Sequence, residues 1–188
     1  MIISEKPVEL KLDNYLWGSR RENVSASAVV FHTGTVPHVN FSVSESELRR
    51  MVNEPNGMVW TDSCVEIFIK AEDSDEYTNI ECSASGAFLA CHGPGRKDRI
   101  RYSAEERSAV STDVAILENN NKRSRWEMKI SVDLARLGLI SGIPADIAFN
   151  LYKCGDELRE PHFLSFAPIS TQEPDFHRPE FFEHATLA

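Results

Sequence analysis

Cysteine is scarce in this 188-residue chain, which has four cysteines and no C-x-x-C pair. The spacing typical of zinc sites is therefore missing, and we expect no zinc site. Cys64, Cys82 and Cys91 fall in segments that alternate like strands, where a reduced thiol packs as a small hydrophobic group. We therefore expect free thiols and a reducing compartment.

Long apolar runs and an excess of positive charge are also missing. The chain has no stretch of about 18 apolar residues, so we expect no membrane-spanning helix. The formal net charge of −9 argues against nucleic acid and anionic membranes as partners. Residues 1–7 show no basic segment followed by an apolar run, so no signal peptide is visible and we expect a cytoplasmic protein.

Short alternating segments separated by turn residues dominate the chain. Polar and apolar residues alternate through 39–43, 65–69, 80–82 and 126–130, which is typical of strands with one buried face. We predict about nine or ten strands, without an internal repeat or linker, in a single domain over residues 1–188. Such a series predicts an all-β fold, an antiparallel, jelly-roll-like β-sandwich with one or two short helices.

The position of the predicted helices follows from capping signals. Ser44 and Glu47 match a capping box, and apolar residues at helical spacing follow over 48–52. A second helical turn is predicted after Asp133.

One strand carries the most informative pattern. Val65, Ile67 and Ile69 predict a face toward the core, so Glu66 projects from the opposite face. A carboxylate in mid-strand needs hydrogen-bond partners or water, and Trp60 precedes the same strand. The pattern is typical either of a core tryptophan with a solvated glutamate, or of an aromatic ring beside a hydrogen-bonding carboxylate.

The following segment, 77–83, is predicted to pair antiparallel with this strand. In that case Asn79 and Glu81 share the face of Glu66. Trp17 lies in an early turn and is predicted to be a core residue.

Aromatic, histidine and cationic side chains crowd into the irregular C-terminal part of the chain. Prolines stiffen this segment and lower the entropic cost of holding its side chains in place. Loops at the rim of a sandwich commonly form binding sites, although such an arm could also simply cover a sheet edge. The candidate binding residues here are Lys153, Phe166, Phe176, His177 and Arg178.

Three blocks of sequence resemble the family 9 carbohydrate-binding modules and their relatives of the DOMON-like β-sandwich group. Trp60 to Ile69 resembles the family's strand with a tryptophan, an acidic residue and then Val-Glu. Tyr77 to Glu81, followed by Gly86, resembles its next strand and turn, and 150–154 with the closing arm resembles its C-terminal part.

The resemblance implies non-catalytic binding of a sugar or glycan end, serving carbohydrate catabolism. It implies that Trp60 is one of two aromatic clamps, that Glu66 accepts a sugar hydroxyl, and that Asn79 or Glu81 adds a polar contact. The family's second clamp is a C-terminal tryptophan, which this chain lacks after Trp126, so a phenylalanine would substitute. The substitute would be Phe166 or Phe176. The cations Lys153, His177 and Arg178 could meet a carboxylate of an acidic sugar.

Enzymatic functions also fit parts of the sequence. Glu66 and Glu81 could form the carboxylate pair of a glycoside hydrolase. A thiol of Cys64 or Cys154 with a histidine, either His162 or His177, could serve as nucleophile and base.

Binding of a cofactor or of a protein partner is a further possibility. The DOMON-like relatives include haem-binding domains, which makes Met58 and Met128 candidate axial ligands. The acidic turn 72–76 could hold a structural calcium ion, although the ligand spacing of an EF-hand loop is absent. A protein-interaction sandwich without a small ligand also fits. We otherwise expect no cofactor.

Overall fold

Strands are the main regular structure of the chain in the computed structural model, which describes residues 1–19 and 21–188. The described strands are β1 (Ile2–Ile3), β2 (Val8–Leu12), β3 (Asn14–Tyr15), β4 (Ser25–Thr33), β5 (Val36–Glu45), β6 (Cys64–Ala71), β7 (Tyr77–Ser83), β8 (Phe88–Gly93), β9 (Ile100–Arg101), β10 (Val110–Asn119), β11 (Ser124–Val132), β12 (Ala145–Cys154), β13 (Phe163–Ser165) and β14 (Glu183–Leu187). The described helices are the one-turn α1 (Ala104–Arg107) and the 3-10 turns Val59–Thr61 and Pro179–Phe181. None of the described helices is long and apolar enough to cross a membrane.

Two sheets pack face to face. The large sheet has the order β1-β14-β12-β6-β7-β8-β9, with β13 beside β12 and β3 beside β13. The small sheet has the order β10-β11-β5-β4-β2. Among the described pairs β1–β14 is parallel, and the other neighbours run antiparallel. The predicted antiparallel β-sandwich is therefore confirmed.

The main core lies between the sheets and follows from strand alternation. Val65, Ile67 and Ile69 of β6 face inward, where they join a cluster that includes Phe41 and Trp126 of the small sheet. Each fully buried side chain of this size contributes about 1.5–3 kcal/mol to folding. The inward face of β6 is therefore fixed by the core, and its outward face is left for other side chains.

A second apolar layer covers the outward face of the large sheet. Phe68 of β6 contacts Tyr152 of β12 edge to face, with ring centroids 5.0 Å apart. Phe176 of the C-terminal arm stacks on Tyr152 at 4.2 Å, and Phe182 packs on the same cluster. The arm therefore covers this face, and the side chains beneath it are buried although they lie outside the main core.

The helix predicted over 48–52 is wrong, because that segment is irregular. Ser44 continues strand β5 opposite Arg125 and so cannot cap a helix. The backbone N–H groups of Met51 and Val52 donate to the carboxylate of Asp62. Strand pairing and this carboxylate therefore outweigh the local capping signal.

A capping box does form elsewhere. Ser103 accepts from the backbone N–H of Glu106, whose side chain in turn accepts from the backbone N–H of Ser103 at the start of α1. Asp133 precedes a hydrogen-bonded turn, where its carboxylate accepts from the N–H of Arg136 at 3.2 Å. Short helical elements are thus present, at other positions than the 48–52 prediction.

A buried ionic network lies inside the sandwich. Glu45 ends β5 with no exposed surface, and its Oε1 accepts from the indole of Trp126 at 2.6 Å. The ammonium of Lys153 lies 3.0 Å from Oε2 of Glu45, and Nε2 of His162 lies 3.3 Å from the same atom. Burial favours the neutral acid, but the charge of Lys153 and the hydrogen bond with His162 overcome this and lower the pKa of Glu45 to about 2.

The four cysteines are free and buried, as the sequence predicts; they are Cys64, Cys82, Cys91 and Cys154. The reducing compartment stays a prediction, as does the extent of a single domain over 1–188.

Candidate functional site

A pocket opens on the outward face of the large sheet, where the covering layer is incomplete. It encloses about 540 Å³, a volume that includes open solvent at its mouth. Its floor consists of Glu66, Glu81 and Cys154. Aromatic walls and a charged rim surround this floor.

The two floor carboxyl groups come from neighbouring strands. Glu66 on β6 lies directly opposite Glu81 on β7, and each is 3% exposed. Glu81 accepts from Asn79 at 2.8 Å and from the guanidinium of Arg99 at 3.3 Å. Glu66 accepts from the thiol of Cys154 at 3.0 Å, a weaker donor.

Burial and mutual repulsion shift the proton affinity of this pair. Burial, followed by the charge of Glu81, raises the pKa of Glu66 well above its ordinary value. Burial also raises the pKa of Glu81, to about 7, although Arg99 and Asn79 oppose the shift. The floor therefore presents both a protonated carboxyl group and hydrogen-bond acceptors near neutral pH.

Trp60 forms one wall of the pocket from the 3-10 turn Val59–Thr61. Its backbone carbonyl accepts from the N–H of Asp156 at 3.1 Å, and the hydroxyl of Thr61 donates to the carbonyl of Met58 at 2.7 Å. The indole remains partly exposed. Of the two interpretations of this strand, the one with an aromatic ring beside a carboxyl group describes the positions of Trp60 and Glu66, which line the same pocket.

The carboxylate of Asp62 holds this turn in place. It is fully buried and accepts from the N–H groups of Met51 and Val52, the hydroxyl of Ser83 and the guanidinium of Arg49. Charge-assisted hydrogen bonds of this kind are stronger than neutral ones. Asp62 therefore positions Trp60 without lining the pocket itself.

Trp17 forms the second tryptophan wall. Its backbone adopts a left-handed conformation with φ of 51°, and its indole N–H donates to the carbonyl of Thr171 at 3.1 Å. The ring packs edge to face against Phe163 and at an angle against Phe176, with centroids 5.5 and 5.6 Å apart. Trp17 is partly exposed in the pocket, and so it is not the core residue that the sequence predicts.

The charged rim comes from a loop and from the C-terminal arm. Arg96 and Arg99 lie in the loop after β8, and Asp175 and His177 lie in the arm. Nδ1 of His177 lies 2.7 Å from the hydroxyl of Tyr77. Burial, with the charges of Arg99 and Arg96, lowers the pKa of His177 to about 2, so this imidazole is uncharged near neutral pH.

A glycine sets the path of the arginine loop. Gly93 has φ of 153°, and a Cβ atom there would lie 2.5 Å from the backbone carbonyl oxygen of Asp98. Side chains other than hydrogen are therefore excluded unless the loop moves. Gly95, two residues further on, has open space around it.

Five of the predicted site residues line the pocket: Trp60, Glu66, Glu81, Phe176 and His177. Asn79 does not line it, but its amide donates to Glu81 from behind the floor. Phe176 contributes a wall, although it is 9% exposed and stacks on Tyr152 beneath it.

The structure places the other three predicted residues outside the pocket. Lys153 points into the sandwich interior, because it alternates with Cys154 along β12, and it pairs there with Glu45. Phe166 stacks on Phe149 at the edge of the main core. Arg178 pairs with Glu180 at 3.2 Å beyond the pocket. These three side chains therefore do not line this pocket, although the sequence predicted them as sugar contacts.

Sequence reasoning missed several residues of the pocket: Trp17, Arg96, Arg99, Asp156, Phe163, Pro174 and Asp175. The basic loop 93–99 was visible in the sequence, but its position beside Glu81 depends on the pairing of β8 with β7. A polar loop that follows a strand next to a candidate site strand is the signal that could have identified it.

The fold separates Cys154 from His162, one of the possible nucleophile–base pairs, and it also separates the two methionines considered as haem ligands. His162 contacts Glu45 on the inner side of the large sheet, whereas the thiol of Cys154 lies on its outer side. Met128 is enclosed in the main core, whereas Met58 is 54% exposed. These positions favour neither a Cys154–His162 nucleophile pair nor haem ligation by the two methionines.

Comparison with known proteins gives a consistent result. A family model described as carbohydrate-binding family 9 matches residues 2–187. A protein from Bacteroides uniformis described as carbohydrate-binding has a similar structure, with a TM-score of 0.88 at 29% identity over 97% of this chain and 87% of that chain. None of the curated proteins matches at a significant level.

Two more distant structures share the fold. Both are of a family 9 module from Caldicellulosiruptor kristjanssonii, one in complex with cellotriose and one with glucose. Their TM-scores are 0.56 and 0.55 at 10% and 9% identity, over all of this chain and 89% and 91% of theirs.

Proposed function

The chain belongs to carbohydrate-binding family 9, and we propose that the pocket floored by Glu66 and Glu81 is its sugar-binding site. Carbohydrate binding follows from the family. The observation that supports this site is the convergence of two tryptophan rings, Trp17 and Trp60, on a pair of buried carboxyl groups.

The chemistry of a pyranose explains why these groups belong together. The ring has apolar C–H faces, which gain dispersion energy and polarised C–H contact from the face of an indole. Its rim carries hydroxyl groups, each of which donates and accepts hydrogen bonds. Glu66, Glu81 and Arg99 offer the matching acceptors and donors on one side of the pocket.

We also propose that the site binds sugar without cleaving it. Family 9 modules are non-catalytic. A glycosidase needs two carboxyl groups that flank the scissile bond. Here both carboxyl groups rise from adjacent strands of one floor, and Glu81 is engaged by Arg99 and Asn79. This arrangement supports hydrogen bonding to one sugar residue from a single side.

A glycan array of mono- and oligosaccharides, including uronic acids, identifies the ligand, and calorimetry then measures its affinity. Trp60→Ala and Trp17→Ala should each weaken binding about tenfold to hundredfold, by analogy with nucleic-acid bases, whose stacking on an aromatic side chain contributes about 1–3 kcal/mol. Phe31→Ala is the matched control, because Phe31 is a partly exposed ring on the small sheet that stacks on His38. Unchanged affinity in both tryptophan variants would contradict the assigned site.

Glu66→Gln distinguishes binding from catalysis. It keeps the shape of the side chain but replaces the carboxyl group by an amide, which changes the hydrogen bonds offered to a sugar hydroxyl and cannot act as acid, base or nucleophile. Affinity should therefore fall, while the release of reducing ends from the array ligand stays at background. Cleavage by the parent protein that disappears in Glu66→Gln would replace our proposal with a glycoside hydrolase.

A further inference from the structure

The floor of the pocket contains a cluster of two thiols and a carboxyl group that no sequence motif indicates. Cys64 and Cys154 are directly opposite each other on the neighbouring strands β6 and β12. Glu66 follows two residues after Cys64 on the same face of β6. Strand pairing therefore brings two thiols and a carboxyl group together, although the cysteines are far apart in sequence and form no recognised motif.

Both sulfur atoms approach the same carboxylate oxygen of Glu66. The sulfur of Cys154 lies 3.0 Å from Oε1 of Glu66, and the sulfur of Cys64 lies 4.0 Å from the same atom. The three ligating atoms all lie within 4.8 Å of one another. All three residues are buried.

These distances match what a tetrahedral metal requires. Zinc–sulfur bonds of about 2.3 Å and zinc–oxygen bonds of about 2.1 Å at tetrahedral angles place sulfur about 3.5 Å from oxygen. The observed sulfur–oxygen separations of 3.0 and 4.0 Å lie on either side of that value. Small side-chain rotations would therefore suffice to close a site.

The donor set selects the class of metal. Two thiolates with one carboxylate favour a soft or borderline divalent ion such as Zn²⁺ over Ca²⁺ or Mg²⁺, which require oxygen ligands. Cys154 and Glu66 line the pocket, so a fourth position faces its lumen. Three protein ligands and one open position are the arrangement of an accessible zinc site, whereas structural sites are closed.

We propose that Cys64, Glu66 and Cys154 form a site for a thiophilic divalent cation at the floor of the pocket. The cation replaces the thiol protons of Cys64 and Cys154 and the carboxyl proton of Glu66, all of which pass to the solvent, and forms two metal–sulfur bonds and one metal–oxygen bond. A water molecule or another small ligand takes the fourth position. No oxidant or reductant takes part. The metal proposal shares Glu66 with the sugar proposal but is tested independently of it, because metal binding is measured without any carbohydrate.

The test is a titration of the metal-free full chain with Co²⁺ alone, in a phosphine reductant that keeps the thiols reduced. We expect a saturable thiolate-to-cobalt charge-transfer band in the near ultraviolet, which Zn²⁺ then abolishes. The band should persist in the double variant Cys82→Ala/Cys91→Ala, where the remaining thiols are Cys64 and Cys154. Cys64→Ala and Cys154→Ala should each abolish it, and Glu66→Gln should weaken cobalt affinity at least tenfold.

Thermal unfolding of each variant shows that it is folded before the titration is interpreted. A parent protein without the charge-transfer band overturns the proposal, and so does a band that survives Cys64→Ala. If the single alanine variants do not fold, the double variant decides: a band there supports the site, and its loss assigns the metal to Cys82 or Cys91.

Discussion

Replacing Lys153 by methionine tests whether this residue stabilises the interior of the sandwich, as the structure indicates, or contacts the sugar, as the sequence predicted. Methionine keeps the length of the side chain and removes its charge. Lys153 is fully buried and pairs with Glu45, which is also fully buried. The substitution therefore leaves the buried carboxylate of Glu45 without its lysine partner, with only Trp126 and His162 beside it. The sugar pocket loses none of its lining residues.

The size of the effect follows from two independent arguments. Removing one partner of a buried ion pair costs about 3–5 kcal/mol of unfolding free energy. The depressed pKa of Glu45, about 2 against an ordinary 4.5, corresponds to about 3 kcal/mol of stabilisation of its ionised form. The pKa shift also contains the contribution of His162, so we expect a loss on the order of 3 kcal/mol at neutral pH for Lys153→Met.

The pH dependence has a definite sign. The folded pKa of Glu45 is below its unfolded value, so its contribution is present above pH 4.5 and is lost as the pH falls toward 2. His162 adds to the loss, because burial and the charge of Lys153 lower its pKa below the ordinary 6.5 and it must be protonated on unfolding in acid. The parent protein should therefore lose stability on acidification, with a weaker dependence below pH 4.5 in the variant.

Urea unfolding followed by circular dichroism between pH 3 and 7 measures these quantities. The double variant Lys153→Met/Glu45→Gln is the control, since glutamine keeps an acceptor for the indole of Trp126 and carries no charge. It should recover much of the loss. A single variant that costs less than about 1 kcal/mol, or that abolishes sugar binding while remaining folded, would refute the buried-pair reasoning.

Two further predictions concern the groups that hold the pocket in shape. Gly93→Ala places a Cβ atom 2.5 Å from the carbonyl oxygen of Asp98, so the arginine loop must move. Sugar affinity measured by calorimetry should therefore fall about tenfold. The control variant Gly95→Ala should bind sugar like the parent, because the space around Gly95 is open. Equal affinities for the two would show that the loop does not contribute. Asp62→Asn removes the charge that binds the N–H groups of 51 and 52, so it should lower the free energy of unfolding in urea by about 1–3 kcal/mol and should also weaken sugar binding. An unchanged urea midpoint would show that Asp62 does not hold this turn in place.

The parts of the fold that sequence reasoning predicted are the ones that depend on local alternation. Strand β7 has the predicted bounds, Tyr77–Ser83, and Glu66 and Glu81 share a face because the side-chain period of a strand is two. The same rule applied to β12 puts Lys153 on the face of Leu151, toward the core. The cationic character of the side chain favoured the opposite interpretation, and its partner Glu45 is remote in sequence.

The missed features depend on long-range contacts. Trp17 faces the pocket because its indole is hydrogen-bonded to Thr171, at the other end of the chain. The helix expected over 48–52 fails because Asp62 takes two of its N–H groups. Neither contact leaves a local trace in composition or periodicity, so no pattern of spacing could have predicted it.

The alternation along β6 has a consequence for insertions and deletions. Val65 and Glu66 are adjacent, so the loss of one residue within the strand would exchange the two faces. A carboxyl group would enter the core while an aliphatic side chain faced the pocket. The turn between Ala71 and Tyr77 lies outside the paired residues and should accept length changes that leave the β6–β7 register intact. Lineages of this protein should therefore vary in length at that turn and not within β6.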